Sequence, residues 1–302
     1  MALDTVSSGI SPRILMACRN RRKGEPPVAD IYQLDILTEK VTLMPREGNP
    51  AGLVYTPHGI GLVKNSNGDV LLYCINHGEA QKHHSIIVYR VLLNRLVFKE
   101  MLESPLMTAP NDVTAGEDGS VFFTNDSRKY DSFFETVFRM KTSNVLYTDG
   151  KDYKIILSGL QYGNGIALKG NRLVVVTTRG KKVFSLLMKK TESGQNYPII
   201  ADEKIIPGPD GFDNVNFGGP DWVLIPAHLN GPAYMAHERY PSKKSPTVVY
   251  RVDVINGKTD VVYSNNGGEI SAGSSAIYYR GKLYISQVFQ PYILRCEASD
   301  LK

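Results

Sequence analysis

Apolar residues fall in short runs along the whole chain, each bounded by Gly, Asn or Asp, and no segment carries a sustained apolar stripe at helical spacing. The runs at 70–75 (VLLYCI), 85–91 (SIIVYRV), 121–124 (VFFT), 173–178 (LVVVTT) and 282–289 (KLYISQVF) are rich in β-branched and aromatic residues. Such runs suit strands buried on both faces. The pattern predicts a chain made mostly or wholly of strands.

The runs repeat. A short polar residue or His followed by a Gly-rich or apolar stretch recurs at Asp4, His58 (PHGIGLV), Asn111 (PNDVTAG), Asn164 (NGIALKG), Asp213 (FDNVNFGG) and Ser274 (GSSAIYYRG), with spacings of 54, 53, 53, 49 and 61. Most heads lead through a Gly or Asn turn into a second apolar run, as in SNGD-VLLYCIN, EDGS-VFFTND and KGNR-LVVVTT. A third and fourth strand follow in several units, for example VYRVLL then RLVFKEML. A period of 40 to 50 residues signals a propeller or solenoid. Six four-stranded units of about fifty residues predict an all-β, six-bladed β-propeller, a single domain over residues 1–302 that the length alone would leave open between one domain and two.

Composition narrows the function. Apolar residues make up 42% and charged residues 22%, so the chain can bury a large core and is neither disordered nor fibrous. The formal charge of +5 is spread out, and the densest basic run, residues 19–23, is short and lacks interleaved aromatics, which excludes nucleic acid as the expected partner. Nothing approaches the 18 or so apolar residues of a membrane span, and Met1-Ala2-Leu3-Asp4-Thr5 has no charged-then-apolar leader pattern. The chain reads as cytoplasmic. Cys18, Cys74 and Cys296 are too few and scattered for a disulfide framework and read as reduced thiols.

In a propeller the first strand of every blade lines the central channel, so equivalent positions fifty residues apart meet on one axis. Asp4, His58, Asn111, Asn164 and the pair Asp213-Asn214 are expected to converge there. Asn and Asp at one strand start are ordinarily turn residues bonding their own backbone. At one phase of a whole repeat they make a ring of carboxylate and amide oxygens without thiolates. That donor set suits Ca²⁺, which takes six to eight oxygens.

At these residues the sequence resembles the paraoxonase family of calcium-dependent lactonases and arylesterases, related more distantly to the gluconolactonases and diisopropylfluorophosphatase. The resemblance covers nearly the whole chain. It rests most specifically on Pro57-His58-Gly59-Ile60, Asn76-His77, Asn111-Asp112-Val113, Asn164-Gly165-Ile166, Asp213-Asn214 and the tail GSSAIYYRGKLYISQVFQPYILRC. It implies one or two calcium ions in the central channel, with Asn111, Asn164, Asp213 and Asn214 on a catalytic ion and Asp4, Asp112 and the backbone carbonyl of Ile60 on a deeper structural ion. It implies His58 as general base with His77 orienting it, and His228, Tyr162 and Ser275 lining the substrate pocket. The other histidines, His83, His84 and His237, sit in polar stretches and are expected at the solvated surface.

Two departures qualify the resemblance. Where the family opens its first blade with Glu-Asp, this chain has Leu3-Asp4, so the family's Glu ligand is missing and Asp213 is the one carboxylate expected on the catalytic ion. The family's N-terminal segment, which completes the last blade and pairs a Cys with the one near the C-terminus, has no counterpart before Asp4. Cys296 is therefore expected to be a free thiol and its blade to be three-stranded or closed by another route. The leading expectation is a calcium-dependent hydrolase of lactones or aryl esters acting on a small-molecule substrate. A repurposed propeller enzyme of small-molecule biosynthesis, of isomerase or cyclase type, and a non-catalytic scaffold binding through exposed loops such as 239–245 are the alternatives, since a fold hosts many chemistries. Substrate identity and oligomeric state are not legible.

Overall fold

The computed structural model describes residues 1–22, 28–78, 83–130, 132–190 and 197–301; Lys23 of the basic run lies outside them. Six sheets form the blades of a β-propeller. Blade one comprises β1 (Ala2–Asp4), β2 (Arg13–Arg19), β3 (Ala29–Asp35) and β4 (Val41–Leu43). Blade two is five-stranded: β5 (Arg46–Glu47) joins its outer edge, followed in sequence by β6 (Pro57–Lys64), β7 (Val70–Asn76), β8 (Ser85–Val91) and β9 (Leu96–Leu102). Among the described strands only β5 pairs parallel, with β9.

Blade three contains β10 (Pro110–Ala115), β11 (Val121–Asn125), β12 (Ser143–Thr148) and β13 (Tyr153–Leu160), with the short helix α1 (Phe133–Val137) between its second and third strands. Blade four is β14 (Gly163–Lys169), β15 (Arg172–Thr177), β16 (Lys182–Lys189) and β17 (Ile199–Pro207). Blade five is β18 (Asn216–Phe217), β19 (Trp222–Ala227), β20 (Thr247–Asp253) and β21 (Thr259–Asn265), with helix α2 (Gly231–Arg239) after β19. Blade six has three strands, β22 (Gly273–Tyr279), β23 (Lys282–Gln287) and β24 (Leu294–Glu297).

The double-sided apolar runs have a direct cause. Along β7, Leu72 and Cys74 pack with Leu15 and Ile31 of blade one, whereas Leu71, Tyr73 and Ile75 pack with Val113 and Phe123 of blade three. Along β15, Leu173 and Val175 meet Val145 of blade three, while Val174 and Val176 meet Val223 and Ile225 of blade five. Side chains alternate across a strand, so a central strand flanked by two blades must be apolar at every position. A buried Leu, Ile or Val contributes about 1.5–3 kcal/mol, and the core is distributed over the seams between successive blades.

The last seam closes the ring. Ile277 and Tyr284 of blade six pack against Ile14, Met16 and Leu34 of blade one, and Arg295 pairs with Glu39 across the same boundary. Cys296 on β24 is a free thiol, as are Cys18 and Cys74. Blade six thus closes on blade one through side chains. The two helices, which the apolar pattern does not announce, begin at side-chain caps: Ser132 Oγ accepts from Glu135 N–H, and Asn230 Oδ1 accepts from Ala233 N–H. No helix among the described residues is long and apolar enough to cross a membrane.

Candidate functional site

The innermost strands β6, β10, β14 and β22 share an irregularity that the repeat alone does not reveal. Each shifts register near its start, between Pro57 and Ile60, Pro110 and Val113, Gly163 and Ile166, and Gly273 and Ser275. Bulges re-aim side chains and recur beside functional sites. The second residue of each strand, His58, Asn111, Asn164 and Ser274, lines a cavity of about 1580 Å³ at the channel.

Ten of the twelve residues singled out from the sequence line that one cavity: His58, Ile60, Asn111, Asp112, Tyr162, Asn164, Asp213, Asn214, His228 and Ser275. His77 does not, because it is fully enclosed behind His58. Asp4 does not either. It pairs with Arg13 at the hairpin end of β1, the place Lys64 holds opposite Val70 in blade two, and so lies out of phase with the strand heads. Its carboxylate accepts from Arg13 Nε at 2.9 Å, Ser7 Oγ at 2.7 Å and the Val6 and Ser7 N–H groups. Arg13 is itself buried and donates onward to Leu92 O. The expected match of Leu3-Asp4 to a strand-head ligand pair is therefore corrected by the register, and Asp4 is the buried counter-ion of Arg13.

Glycines let the innermost strands approach. A Cβ on Gly59 would stand 2.4 Å from Asp112 Oδ1 and 2.5 Å from Asn111 O. One on Gly165 would stand 2.5 Å from Val215 N and 2.7 Å from Asn214 Cα. Gly in His58-Gly59 and Asn164-Gly165 thus sets the distance between neighbouring blades at the channel.

The three asparagines are anchored in the same sense. Asn111 Nδ2 donates to Asp126 Oδ2 at 3.2 Å, and Asn214 Nδ2 donates to the Ser274 carbonyl at 2.9 Å. Asn164 Nδ2 donates at 3.0 Å to Thr178 Oγ1, which accepts because its own proton goes to Phe212 O. Each partner accepts, so it must face the NH₂ group and not the carbonyl. The amide oxygens are left for the cavity, and Asn164 Oδ1 is buried with no hydrogen-bond partner among the described residues. A buried orphan acceptor is costly unless something occupies it.

Beside these amides, Asp213 Oδ2 accepts from His228 Nε2 at 3.0 Å and its Oδ1 from Asn214 Nδ2 at 3.1 Å. His228 packs against Tyr234 of α2 with ring centroids 4.6 Å apart and the planes tilted by 50°, which brings that helix to the cavity wall. Asp112 accepts from Ile166 N–H and Val113 N–H, and burial pushes its carboxyl up to about 7 against those two donors. Ser275 Oγ accepts from Asn216 Nδ2 at 2.9 Å, one residue past the strand-head phase. Tyr162 adopts a left-handed backbone at φ 59°, and the charge of Asp126, followed by burial, raises its phenol well above the ordinary range.

His58 Nδ1 lies 2.7 Å from His77 Nε2. Burial, then the charge of Arg21, the adjoining His77 ring and the charge of Arg19, hold His58 well below the ordinary imidazole range. Burial, Arg19, His84 and Arg21 push His77 down to about 2. Both rings are neutral at pH 7, the state a general base requires.

Two histidines expected at the surface are elsewhere. His84 stands 3.1 Å from His77, Nδ1 to Nδ1, while His83 is exposed as expected. His237, on α2, is buried, with its ring against Phe289 and Arg22 Nη2 near its Nε2. Its Nδ1 meets the nearby Lys243 carbonyl at 2.5 Å, but Phe289 and Arg22, which cover the ring, lie far away in sequence, which is why local polarity misplaces it. Among the described residues no three His, Cys, Asp or Glu side chains gather as a metal cluster. The hard-oxygen set at the channel depends instead on amides.

A family model of arylesterases matches residues 22–298. Human serum paraoxonase/arylesterase 2 is 26% identical over 253 residues, covering 80% of this chain and 69% of that protein. Human serum paraoxonase/lactonase 3 is 24% identical over 253 residues, covering 81% and 69%. In three dimensions the chain resembles regucalcin from Agrobacterium tumefaciens, a calcium-binding protein, at TM-score 0.50 and 11% identity, covering 85% of this chain and 74% of that one. It also resembles the PQQ-bound aldose sugar dehydrogenase from Streptomyces coelicolor at TM-score 0.52 and 11% identity, covering 94% and 98%. At that identity the two structures show the fold alone. The match over almost the full length of the sequence places this chain in the arylesterase family of hydrolases.

Proposed function

We propose that the chain hydrolyses lactones or aryl esters at a calcium ion held by Asn111, Asn164, Asp213 and Asn214, with His58 as general base. The observation that carries this reading is the common orientation of the three amides, whose NH₂ groups are tied to the wall and whose oxygens are left over, Asn164 Oδ1 without any partner. Calcium, when bound, supplies Lewis-acid polarisation of the substrate carbonyl. The residues of the chain do the rest. His58 takes the proton of the attacking water and His77 holds its ring in place. His228 fixes the Asp213 carboxylate, and Tyr162 and Ser275 line the space where the acyl and alcohol portions lie. The names of the relatives, arylesterase and lactonase, support the same substrate class.

No second ion is proposed. With Asp4 bound to Arg13, the deeper set retains only Asp112, which already accepts two backbone N–H groups, and the Ile60 carbonyl. The biosynthetic and scaffold readings draw no observation of their own from the structure.

The test is calcium titration calorimetry on the chelator-stripped protein, with hydrolysis of phenyl acetate and δ-valerolactone followed in parallel. One calcium per chain is expected, with activity that vanishes on chelation, returns with calcium, and falls about 10²-fold or more in Asn164→Ala. Lactone hydrolysis unchanged after exhaustive chelation overturns the proposal.

A further inference from the structure

We infer that His84 is the outer member of a three-histidine relay, His58–His77–His84, which sets the tautomer of His58 and holds water's proton near the surface between the two halves of the reaction. The inference rests on the hydrolase reading given above and adds to it a positioning residue. The contacts are continuous: His58 Nδ1 to His77 Nε2 at 2.7 Å, and His77 Nδ1 to His84 Nδ1 at 3.1 Å. The three rings connect two separate concavities. His58 lines the main cavity, fully buried His77 lines neither, and half-buried His84 lines a smaller hollow of about 380 Å³ together with His83, Glu103, Ser104, Pro105 and Met107.

A clamp holds the outer rings. Tyr130 lies over both His77, at 4.5 Å between centroids, and His84, at 5.4 Å, and its hydroxyl accepts from Arg19 Nη2 at 3.2 Å. Each ring-to-ring contact has room for one proton, so fixing one ring fixes the others. His84 turns Nδ1 to His77, so in the relay its proton sits on the other nitrogen, Nε2. His84 Nδ1 then accepts from His77 Nδ1–H, and His77 Nε2 accepts from His58 Nδ1–H. The consequence is an unprotonated Nε2 on His58, the nitrogen left for the cavity and the form a base needs.

Proton balance explains why a third ring is useful. When water adds to the acyl carbon, its proton enters at His58 Nε2. A cation is costly there and on fully buried His77, where burial and then the charges of Arg21 and Arg19 disfavour it. Two hops, His58 Nδ1–H to His77 Nε2 and His77 Nδ1–H to His84 Nδ1, move the charge to a half-buried ring at the hollow that Glu103 also lines; burial lowers the His84 pKa too, but that ring is less enclosed than His77. When the acyl–oxygen bond breaks, the same hops reverse and His58 returns the proton to the leaving alkoxide. The original tautomers are restored and no oxidant or reductant enters. The acid product then ionises into the open cavity.

The experiment compares wild type with His84→Ala and His84→Gln, both checked for the wild-type melting temperature, on two substrates: δ-valerolactone, whose alkoxide must be protonated, and p-nitrophenyl acetate, whose phenolate leaves unaided. Loss of the relay is expected to lower kcat on the lactone about 10²-fold, to leave KM unchanged, and to spare the nitrophenyl ester largely. Free imidazole is expected to restore His84→Ala but not His84→Gln, which fills the hollow. Nitrogen-15 NMR of the wild type should show His58 and His77 protonated at Nδ1 and His84 at Nε2. Wild-type kcat on the lactone in both variants, equal losses on the two substrates without imidazole rescue, or His58 protonated at Nε2 in the wild type would each overturn the relay. Undiminished, calcium-dependent lactone hydrolysis in both variants would remove His84 and leave the hydrolase reading intact, whereas lactone hydrolysis by the wild type that survives chelation would remove that reading, so the two failures are distinguishable.

Discussion

Lowering the pH from 8 to 5 is expected to weaken the fold by about 2 kcal/mol through His77 alone. The ring is fully enclosed, and burial, with the charges of Arg19, His84 and Arg21, pushes its pKa from the ordinary 6.5 down to about 2. Between those limits the unfolded chain binds a proton on this residue and the folded chain does not. The contribution is therefore fully present above about 6.5 and is lost as pH falls through that value towards 2. At pH 5 the loss is about 1.5 pH units at roughly 1.4 kcal/mol each, whatever the folded value below 4. Asp112 acts in the opposite direction: its carboxyl, raised to about 7 by burial, keeps a proton in the folded state that the unfolded chain releases above 3.8, so its contribution falls as pH rises. The comparison that isolates His77 is thus wild type against His77→Gln at both pH values. The assay is urea unfolding at constant ionic strength with chelator present. Wild type should lose about 2 kcal/mol more than the variant between pH 8 and 5. Equal losses would mean that the folded protein protonates His77 as readily as the unfolded chain, and the enclosed, neutral histidine behind His58 would have to be abandoned.

Two further substitutions probe the channel. Gly165→Ala is expected to lower stability by about 1–3 kcal/mol, because its Cβ would collide with Val215 N and Asn214 Cα, and an unchanged melting temperature would contradict that tight approach. Asp4→Asn leaves the Arg13 guanidinium without its counter-charge and is expected to cost about 3–5 kcal/mol, equally in calcium and in chelator, by denaturant titration. A deficit that appears only with calcium would make Asp4 a ligand after all.

The blades were legible because their cause is local and periodic. A strand such as β15, sandwiched between two blades, must be apolar at successive positions, and its approach to the channel recurs every fifty residues or so. The strand heads at His58, Asn111 and Asn164 were legible for the same reason. Asp4 was not, because a dipeptide match ignores hairpin register, and here the pairing with Arg13 decides where the carboxylate lies. The bulge that turns Asn111 and Asn164 inward leaves no mark in composition. His84 and His237 read as surface residues because their polar neighbours in sequence are not their neighbours in space: His84 meets His77 and Tyr130, and His237 meets Arg22 and Phe289. Helix α2 carries no apolar stripe; a polar cap starts it and its contacts with the cavity wall hold it.

The amide-rich donor set follows from what stands behind it. A carboxylate at position 111 would turn an oxygen towards Asp126, one at 214 would face the Ser274 carbonyl, and one at 164 would meet Thr178 Oγ1, whose proton is already committed to Phe212 O. Each exchange sets acceptor against acceptor in a buried setting, at a cost of about 1–3 kcal/mol for a group left unsatisfied. An amide alone both donates to the wall and presents an oxygen to the channel. Asp213 escapes the constraint because its neighbours, His228 Nε2 and Asn214 Nδ2, are donors. The single carboxylate among three amides is therefore the arrangement that the surrounding hydrogen bonds select. It leaves neutral oxygens in fixed directions beside one full charge, the donor set on which the proposed calcium site rests.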